Sequence, residues 1–470
     1  MRLLPLLTCT LALAASPIYA AIDRTKKPEP GPAPAASFPD YAERTLANGL
    51  KVFVIEDDRK PTVTFRLMLK TGEIHDGAKT GLSSFVASLL NRGTTARDAA
   101  AFAQESDFIG VRVEAAAGED ALSVSSGGLT KYTDKILDLL TDAVLHPIFP
   151  AEQLEKVRRQ ALSKLAADKQ EPETLAGKLS GKVVFGEHPY GAYSTPESVK
   201  AITREDLVAY HKTWFAPGNA TLAVVGDVKA DAILAVIEKA FAAWEKRDVP
   251  VMKMSAPPEM KGVTIHLVDR PGSVQSNIVV CEPGPARSIP ELPELNVLNA
   301  TLGGGFSGRL FQNLREKHGW TYGAYSAFGM QKHGGSFQAS AETRNEVTAP
   351  AIREILAEMK RLRDEPVPDA ELELQRQYNV GNYLLSLENA GRTASRVQDI
   401  DLYGLPKDFY KSYARRMASV KPDQIQALAR QHLSIDNLAI IVVGEAAQLR
   451  AELEKIGTVV SYDTDLKPVK

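Results

Sequence analysis

Cysteine is scarce: the chain of 470 residues has two, Cys9 and Cys281. Cys9 lies inside an N-terminal apolar run, so removal of that run leaves Cys281 alone and excludes an internal disulfide. Charge of one sign is also missing. The formal net charge is −2 and the pI is about 6.5. No basic stripe or arginine-rich run is present, which argues against a nucleic-acid partner. The apolar run Leu3 to Ala15 is too short for a membrane span. Closely spaced metal ligands are lacking too. No two of His75, His146, His188, His211, His266, His318, His333 and His432 stand three to five positions apart. The sequence therefore carries no local zinc motif of the usual helical spacing.

What is present begins with an export signal. Arg2, the apolar run and the small residues ending at Ala20 predict a signal peptide over residues 1–20, and hence an exported, bacterial periplasmic protein. Residues 21–42 follow as a proline-rich linker (Lys-Lys-Pro-Glu-Pro-Gly-Pro-Ala-Pro) that cannot pack as helix or sheet. Val63, Phe65, Leu67 and Leu69 alternate, with Thr64 and Arg66 on the other face, and predict a strand. Leu82, Phe85, Val86 and Leu89 form the apolar stripe of a helix from Gly81 to Leu90. Leu122, Val124 and a turn at Gly127-Gly128 predict a hairpin. A charged helix runs from Pro150 to about Lys169.

The second half repeats the first. Asn219-Ala-Thr-Leu-Ala-Val-Val-Gly226-Asp227 matches Asn437-Leu-Ala-Ile-Ile-Val-Val-Gly444-Glu445, with Gly226 and Gly444 standing 218 positions apart. Leu207 meets Ile425 and Phe215 meets Leu433 in the same register. The expected fold is α+β: two duplicated domains, each a mainly antiparallel sheet with helices packed on one face. They span residues 43–245 and 263–463, joined by a linker at 246–262 and followed by a tail at 464–470.

One stretch concentrates chemical possibilities. Gly303-x-Gly305-x-x-Gly308 formally matches a dinucleotide fingerprint, but Leu295, Leu298 and Leu302 before it have helical spacing where a strand is required. Arg309-Leu310 after it rules out a phosphate-binding P-loop. Leu310, Phe311 and Leu314 predict a short helix stopped at Gly319, and Tyr322-Gly-Ala-Tyr predicts a strand. Arg315 and Tyr322 then flank a helix-to-strand corner. Both donate hydrogen bonds, which suits a site that holds a carbonyl.

Two signatures carry a family resemblance. The first is Phe185-Gly-Glu-His-Pro-Tyr-Gly191 with Ile202-Thr-x-x-Asp206-Leu and Tyr210-His-x-x-Trp214-Phe-x-Pro217-x-Asn219; the second is Gly303 to Tyr325. From about Arg44 to about Tyr462 the chain resembles the pitrilysin/insulinase-type (M16) zinc peptidases, in the compact form of mitochondrial processing peptidase subunits and their bacterial relatives. The resemblance implies two domain pairs, from one or two chains, closing around an extended peptide. Active members carry His-x-x-Glu-His on the first-domain helix. The frame Gly81-Leu-x-x-Phe85-x-x-x-Leu89-Leu-x-x-Gly93-Thr94 sets those three positions at Ser84, Ala87 and Ser88. The third ligand, a glutamate in the family, falls on Lys164, and an accompanying carboxylate on Val157. Serine is a poor zinc ligand, alanine cannot take a proton and lysine repels the metal, so metal-assisted hydrolysis as the family performs it is lost.

The resemblance also implies that Arg315 and Tyr322 are the pair that binds the substrate backbone and steadies the tetrahedral oxyanion. The chain is thus expected to be the non-catalytic subunit of a heterodimeric zinc peptidase, inactive alone. No cofactor is expected in this chain; zinc is expected in an M16-type partner with an intact motif. An inert structural or peptide-binding protein is the alternative. A serine enzyme using Ser83, Ser84 or Ser88 is the weakest reading, because no base adjoins them in sequence.

Overall fold

Alternation decides the first sheet. Val63, Phe65, Leu67 and Leu69 are fully buried, and Thr64 and Arg66 between them face the other way. A computed structural model describes residues 38–254 and 257–469, and the expected signal peptide and most of the proline-rich linker lie outside them. The first half contributes β1 (Ala42–Thr45), β2 (Lys51–Glu56), β3 (Thr62–Leu69), β4 (Val113–Ala117), β5 (Leu122–Leu129) and β6 (Ala220–Gly226). They form a six-stranded sheet in the order β1-β2-β6-β3-β5-β4. Only β2 and β6 pair in parallel; the other neighbours are antiparallel.

The second half contributes β7 (Val263–Asp269), β8 (Gln275–Gly284), β9 (Ala324–Gln331), β10 (Gly334–Arg344), β11 (Leu438–Gly444), β12 (Thr458–Tyr462) and β13 (Pro468–Val469). Their order is β13-β12-β7-β11-β8-β10-β9. The run β7-β11-β8-β10-β9 repeats β2-β6-β3-β5-β4, including the parallel pairing of its first two strands. The duplication read from Gly226 and Gly444 is therefore a duplication of topology. The fold is the expected α+β arrangement of two mainly antiparallel sheets with helices.

The hairpin turn differs in place from the expectation. It lies at Gly118–Ala121, where Gly118 N donates to Ala121 O at 2.9 Å. Gly127 and Gly128 sit within β5. They are glycines for lack of room: a Cβ at Gly127 would lie 2.9 Å from the Val63 carbonyl, and one at Gly128 would lie 2.6 Å from Val111.

β6 and β11 are buried at every one of their residues. Such continuous burial requires cover on both sheet faces. Leu222 and Val224 pack with the helices of their own half, whereas Ala223 and Val225 join the core of the second half. Ile440 and Val442 belong to the second half's core, whereas Ala439, Ile441 and Val443 pack against Leu175, Ala176, Leu179 and Phe185. Those last residues lie on the helix Pro172–Phe185 from the first half. Its counterpart Ala390–Tyr403 crosses the opposite way and packs on β6 and β3. The two helices start at Pro172 and Ala390, again 218 positions apart. Each half thus lends one helix to the other's sheet. The described residues accordingly form one compact unit.

The exchanged helices are held differently. Pro172–Phe185 buries mainly apolar side chains, each worth about 1.5–3 kcal/mol when fully covered. Ala390–Tyr403 adds polar ties: Gln398 Nε2 donates to the carbonyls of Arg66 and Thr221, both at 2.9 Å, and Asp401 accepts from Lys51 and Lys70. Leu179→Ala is expected to cost about 2–5 kcal/mol and to lower a single melting transition in which both halves unfold together. Calorimetry resolving two separate transitions, with only one of them moved, would show that the exchange does not couple the halves.

Candidate functional site

The glycine-rich corner is built by close approach. A Cβ on Gly303 would lie 2.6 Å from Ser326 N, and one on Gly308 would lie 2.9 Å from the Gly303 Cα. Neither position has room for a side chain, so Ser326 N can donate to Gly303 O at 2.9 Å and fasten the corner to β9. Beyond it the expected helix forms, but it widens. One helical turn, Arg309–Phe311, passes into a π-helical turn, Gln312–Lys317. Leu310 and Leu314 are fully buried and anchor it. Gly319, at φ +64°, ends it in the left-handed region. Wide turns of this kind place side chains that a regular helix would aim elsewhere.

Arg315 and Tyr322 do meet, through the backbone. Arg315 Nη1 donates to the Tyr322 carbonyl at 2.8 Å. The guanidinium also lies over the Phe311 ring, 4.9 Å from its centroid, and 3.5 Å from the Glu316 carboxylate. The Tyr322 side chain points outward and the residue is 87% exposed. The arginine thus shapes the corner that presents the phenol, while its remaining N–H groups stay near the surface.

The positions that the family resemblance assigns to a zinc site are divided. Ser84, Ala87 and Ser88 lie on the helix Leu82–Leu89, and Val157 and Lys164 on the helix Ala151–Asp168. Ala87 and Val157 are absorbed into the apolar core of the first half. Ser88 is exposed. Ser84 and Lys164 are brought together in the lining of a cavity of about 370 Å³, with Glu73, Asp76 and Asp168. Lys164 pairs with Asp168 at 2.8 Å, and Lys178 approaches the same carboxylate at 3.1 Å. Ser84 Oγ lies 3.5 Å from Glu73 Oε1.

Burial raises the Glu73 carboxyl above its ordinary value. It pushes Asp76 up to about 6, although Asp76 accepts from the backbone N–H groups of Gly81 and Ser83 at 2.8 Å each. Nearby His75 is driven down to about 4 by burial and packs at a tilt against Trp214, with ring centroids 4.0 Å apart. Glu73, Asp76 and Lys178 were not singled out from the sequence. Only Asp76 left a signal there, as a carboxylate shortly before a helix start, where it can cap free N–H groups.

The donor set does not fit zinc. The metal takes thiolate, imidazole or carboxylate ligands, whereas the helix that would bear two imidazoles offers two hydroxyls, and the third position carries an ammonium. Among the described residues, no group of three or more His, Cys, Asp or Glu side chains is arranged to hold a metal ion.

The first-domain signature serves structure. Tyr190 donates to Asp120 in the β4–β5 turn, and Lys332 N in the β9–β10 turn donates to the same carboxylate at 2.8 Å. Asn219 Nδ2 donates to the Trp214 carbonyl at 3.0 Å.

Comparison with known proteins agrees with these features. The profile described as insulinase (peptidase family M16) matches residues 51–192, and that described as the peptidase M16 inactive domain matches residues 201–379. The chain belongs to the M16 peptidase family. Its M16 relatives include an uncharacterized zinc protease of Mycobacterium leprae, 26% identical over 85% of this chain and 91% of that protein. The uncharacterized zinc protease YmxG of Bacillus subtilis is 23% identical over 86% of this chain and 98% of that protein. Among solved structures, a peptidase M16 inactive domain from Pseudomonas fluorescens superimposes with a TM-score of 0.80 at 27% identity, covering 86% of this chain and 98% of that one. A Helicobacter pylori protease shares the fold, with a TM-score of 0.81 at 19% identity over 86% and 99% of the two chains. Among the described residues, no helix is long and apolar enough to cross a membrane.

Placing zinc ligands at the assigned positions gives a direct check of the assignment. The native chain dialysed against zinc is expected to keep well under one ion per molecule by atomic absorption. Ser84→His, Ser88→His and Lys164→Glu combined are expected to raise that toward one. Stoichiometric zinc on the native chain would contradict the reading of the donor set.

Proposed function

We propose that this chain is the non-catalytic subunit of a two-chain M16 peptidase, forming part of the peptide chamber and contributing Arg315 and Tyr322 to the partner's reaction. The observation that carries the proposal is the pairing of a zinc site stripped of its ligands with an Arg/Tyr corner that is folded and facing outward. The metal and its activated water belong to the partner, a second M16 chain with an intact His-x-x-Glu-His helix. The two proteins work in the exported compartment expected from residues 1–20.

The role of this chain follows from its own atoms. Arg315 uses one N–H on the Tyr322 carbonyl and retains others for a substrate carbonyl. The guanidinium is steadied by Phe311 on one side, so little freedom is lost when a peptide arrives. The Tyr322 phenol stands in solvent and donates to an oxygen that gains negative charge as the carbonyl becomes tetrahedral. A fixed donor of this kind is typically worth about 2.7–4 kcal/mol in the transition state, or 10²–10³ in kcat.

Cleavage of an unstructured peptide by this chain, by its partner and by the mixture is the deciding assay. Activity is expected only in the mixture. Tyr322→Phe and Arg315→Ala are each expected to lower kcat of the mixture about 10²–10³-fold with a smaller change in KM. Hydrolysis by this chain alone with zinc retained would overturn the subunit role. A fully active mixture carrying Tyr322→Phe would overturn the role of the pair.

A further inference from the structure

The outer face of the first sheet is covered only in part. The helix Ala390–Tyr403 lies over β6 and β3. Beyond β3, the same face continues over β5 and β4. Strand register sets Arg66, Ser125 and Glu114 in one row across this face, and Thr64 beside Gly127 in the next. Arg112, one residue before β4, falls on the same face, because Val111 and Val113 on either side of it enter the core. Together with Arg392 and Ser395 from the covering helix, these residues line a cavity of about 520 Å³.

The cavity has a charge excess. Three guanidiniums line it against one carboxylate, Glu114. Arg66 donates to Gln398 Oε1, a neutral amide, and burial lowers its pKa. Asp399 stands near Arg66 but is turned to Arg287 at 3.5 Å and accepts from the Tyr410 hydroxyl at 3.3 Å. Among the described residues, Arg112 and Arg392 have no carboxylate within 4.0 Å. Arg59, in the neighbouring cleft, is by contrast neutralised by Asp57 and Glu388. The duplication does not account for the excess. The cavity between Pro172–Phe185 and the second sheet, about 420 Å³, is lined by only two formally charged residues, Glu119 and Lys178.

We propose that this open face of the first sheet binds an acidic stretch of peptide, whose carboxylates are taken by Arg66, Arg112 and Arg392. The inference rests on the peptide-chamber reading and adds a charge preference to it. Guanidiniums meet carboxylates in a two-pronged geometry that an ammonium cannot reproduce. The sheet floor between them carries hydroxyls from Thr64 and Ser125, and the covering helix adds that of Ser395, so a ligand backbone meets hydrogen-bonding groups on both sides.

Fluorescence anisotropy tests it on the full-length chain with labelled unstructured peptides that differ only in a Glu-rich, Lys-rich or uncharged segment. The Glu-rich peptide is expected to bind about tenfold tighter than the uncharged one at low ionic strength, and to lose that advantage as salt screens it. Arg112→Ala with Arg392→Ala is expected to weaken it at least about fivefold without moving the melting temperature, since both side chains are exposed; the paired Lys replacements are expected to recover only part. Equal binding of Glu-rich and Lys-rich peptides would overturn the proposal. So would tighter binding of a single-stranded oligonucleotide of equal charge. The two readings fail separately: a charge preference in binding with an inactive mixture removes the subunit role alone, and efficient cleavage with no charge preference removes this inference alone.

Discussion

Two strands, β6 and β11, are buried along their whole length, and neither is exposed on either face. That constraint organises the molecule. A sheet can cover one face with helices from its own half, as the alternating strands beside β6 and β11 require. Covering the second face takes another helix, and each half takes it from the other. Burial of Ala439, Ile441 and Val443 under Leu175, Leu179 and Phe185 therefore stabilises the first half's helix and the second half's sheet at once. The exchange also leaves part of each outer sheet face uncovered, toward β4 and toward β9. The arginine-lined cavity lies at this incomplete cover.

The site inherits its form from the same economy of space. Glycines at 303 and 308 let the chain turn tightly against β9, and Leu310 and Leu314, four positions apart on one helix face, both reach the core. Arg315 is left at the rim, bonded to the Tyr322 carbonyl. In the first half, Ala87 and Val157 lie in the apolar core, where a carboxylate would need partners. Ser84 and Lys164 remain beside Glu73 and Asp168 in a cavity that has polar groups but no ligand set for zinc.

Much of the fold was legible before any coordinates. The alternation in β3, the stripe of Leu82–Leu89 and the repeated Val-Val-Gly strands each arise from local periodicity. The exchanged helices were missed, although Pro172 at a helix start and the separation of 218 positions were visible signals. The Gly127-Gly128 turn was misplaced because glycine marks two different needs, a left-handed turn and a close backbone approach. Here it is the second. Of the candidate site, Ser84, Ala87, Ser88 and Lys164 and the Arg315/Tyr322 pair were assigned through the family resemblance. Glu73, Lys178 and the arginine-lined face were not, because they come together from segments far apart in the chain.

The sequence by itself determined the chemistry available at each position: hydroxyls at Ser84 and Ser88, an ammonium at Lys164, and the donors Arg315 and Tyr322 at the glycine-rich corner. It also determined the duplication, since a repeated pattern of burial needs a repeated pattern of side chains. Only the tertiary structure decided which sheet each helix covers, that Arg315 reaches the Tyr322 backbone rather than its phenol, and that Arg66, Arg112 and Arg392 share one cavity. The reason is physical. Periodicity states that a face must be buried, but not against what, and the surface that buries it is supplied by residues some two hundred positions away.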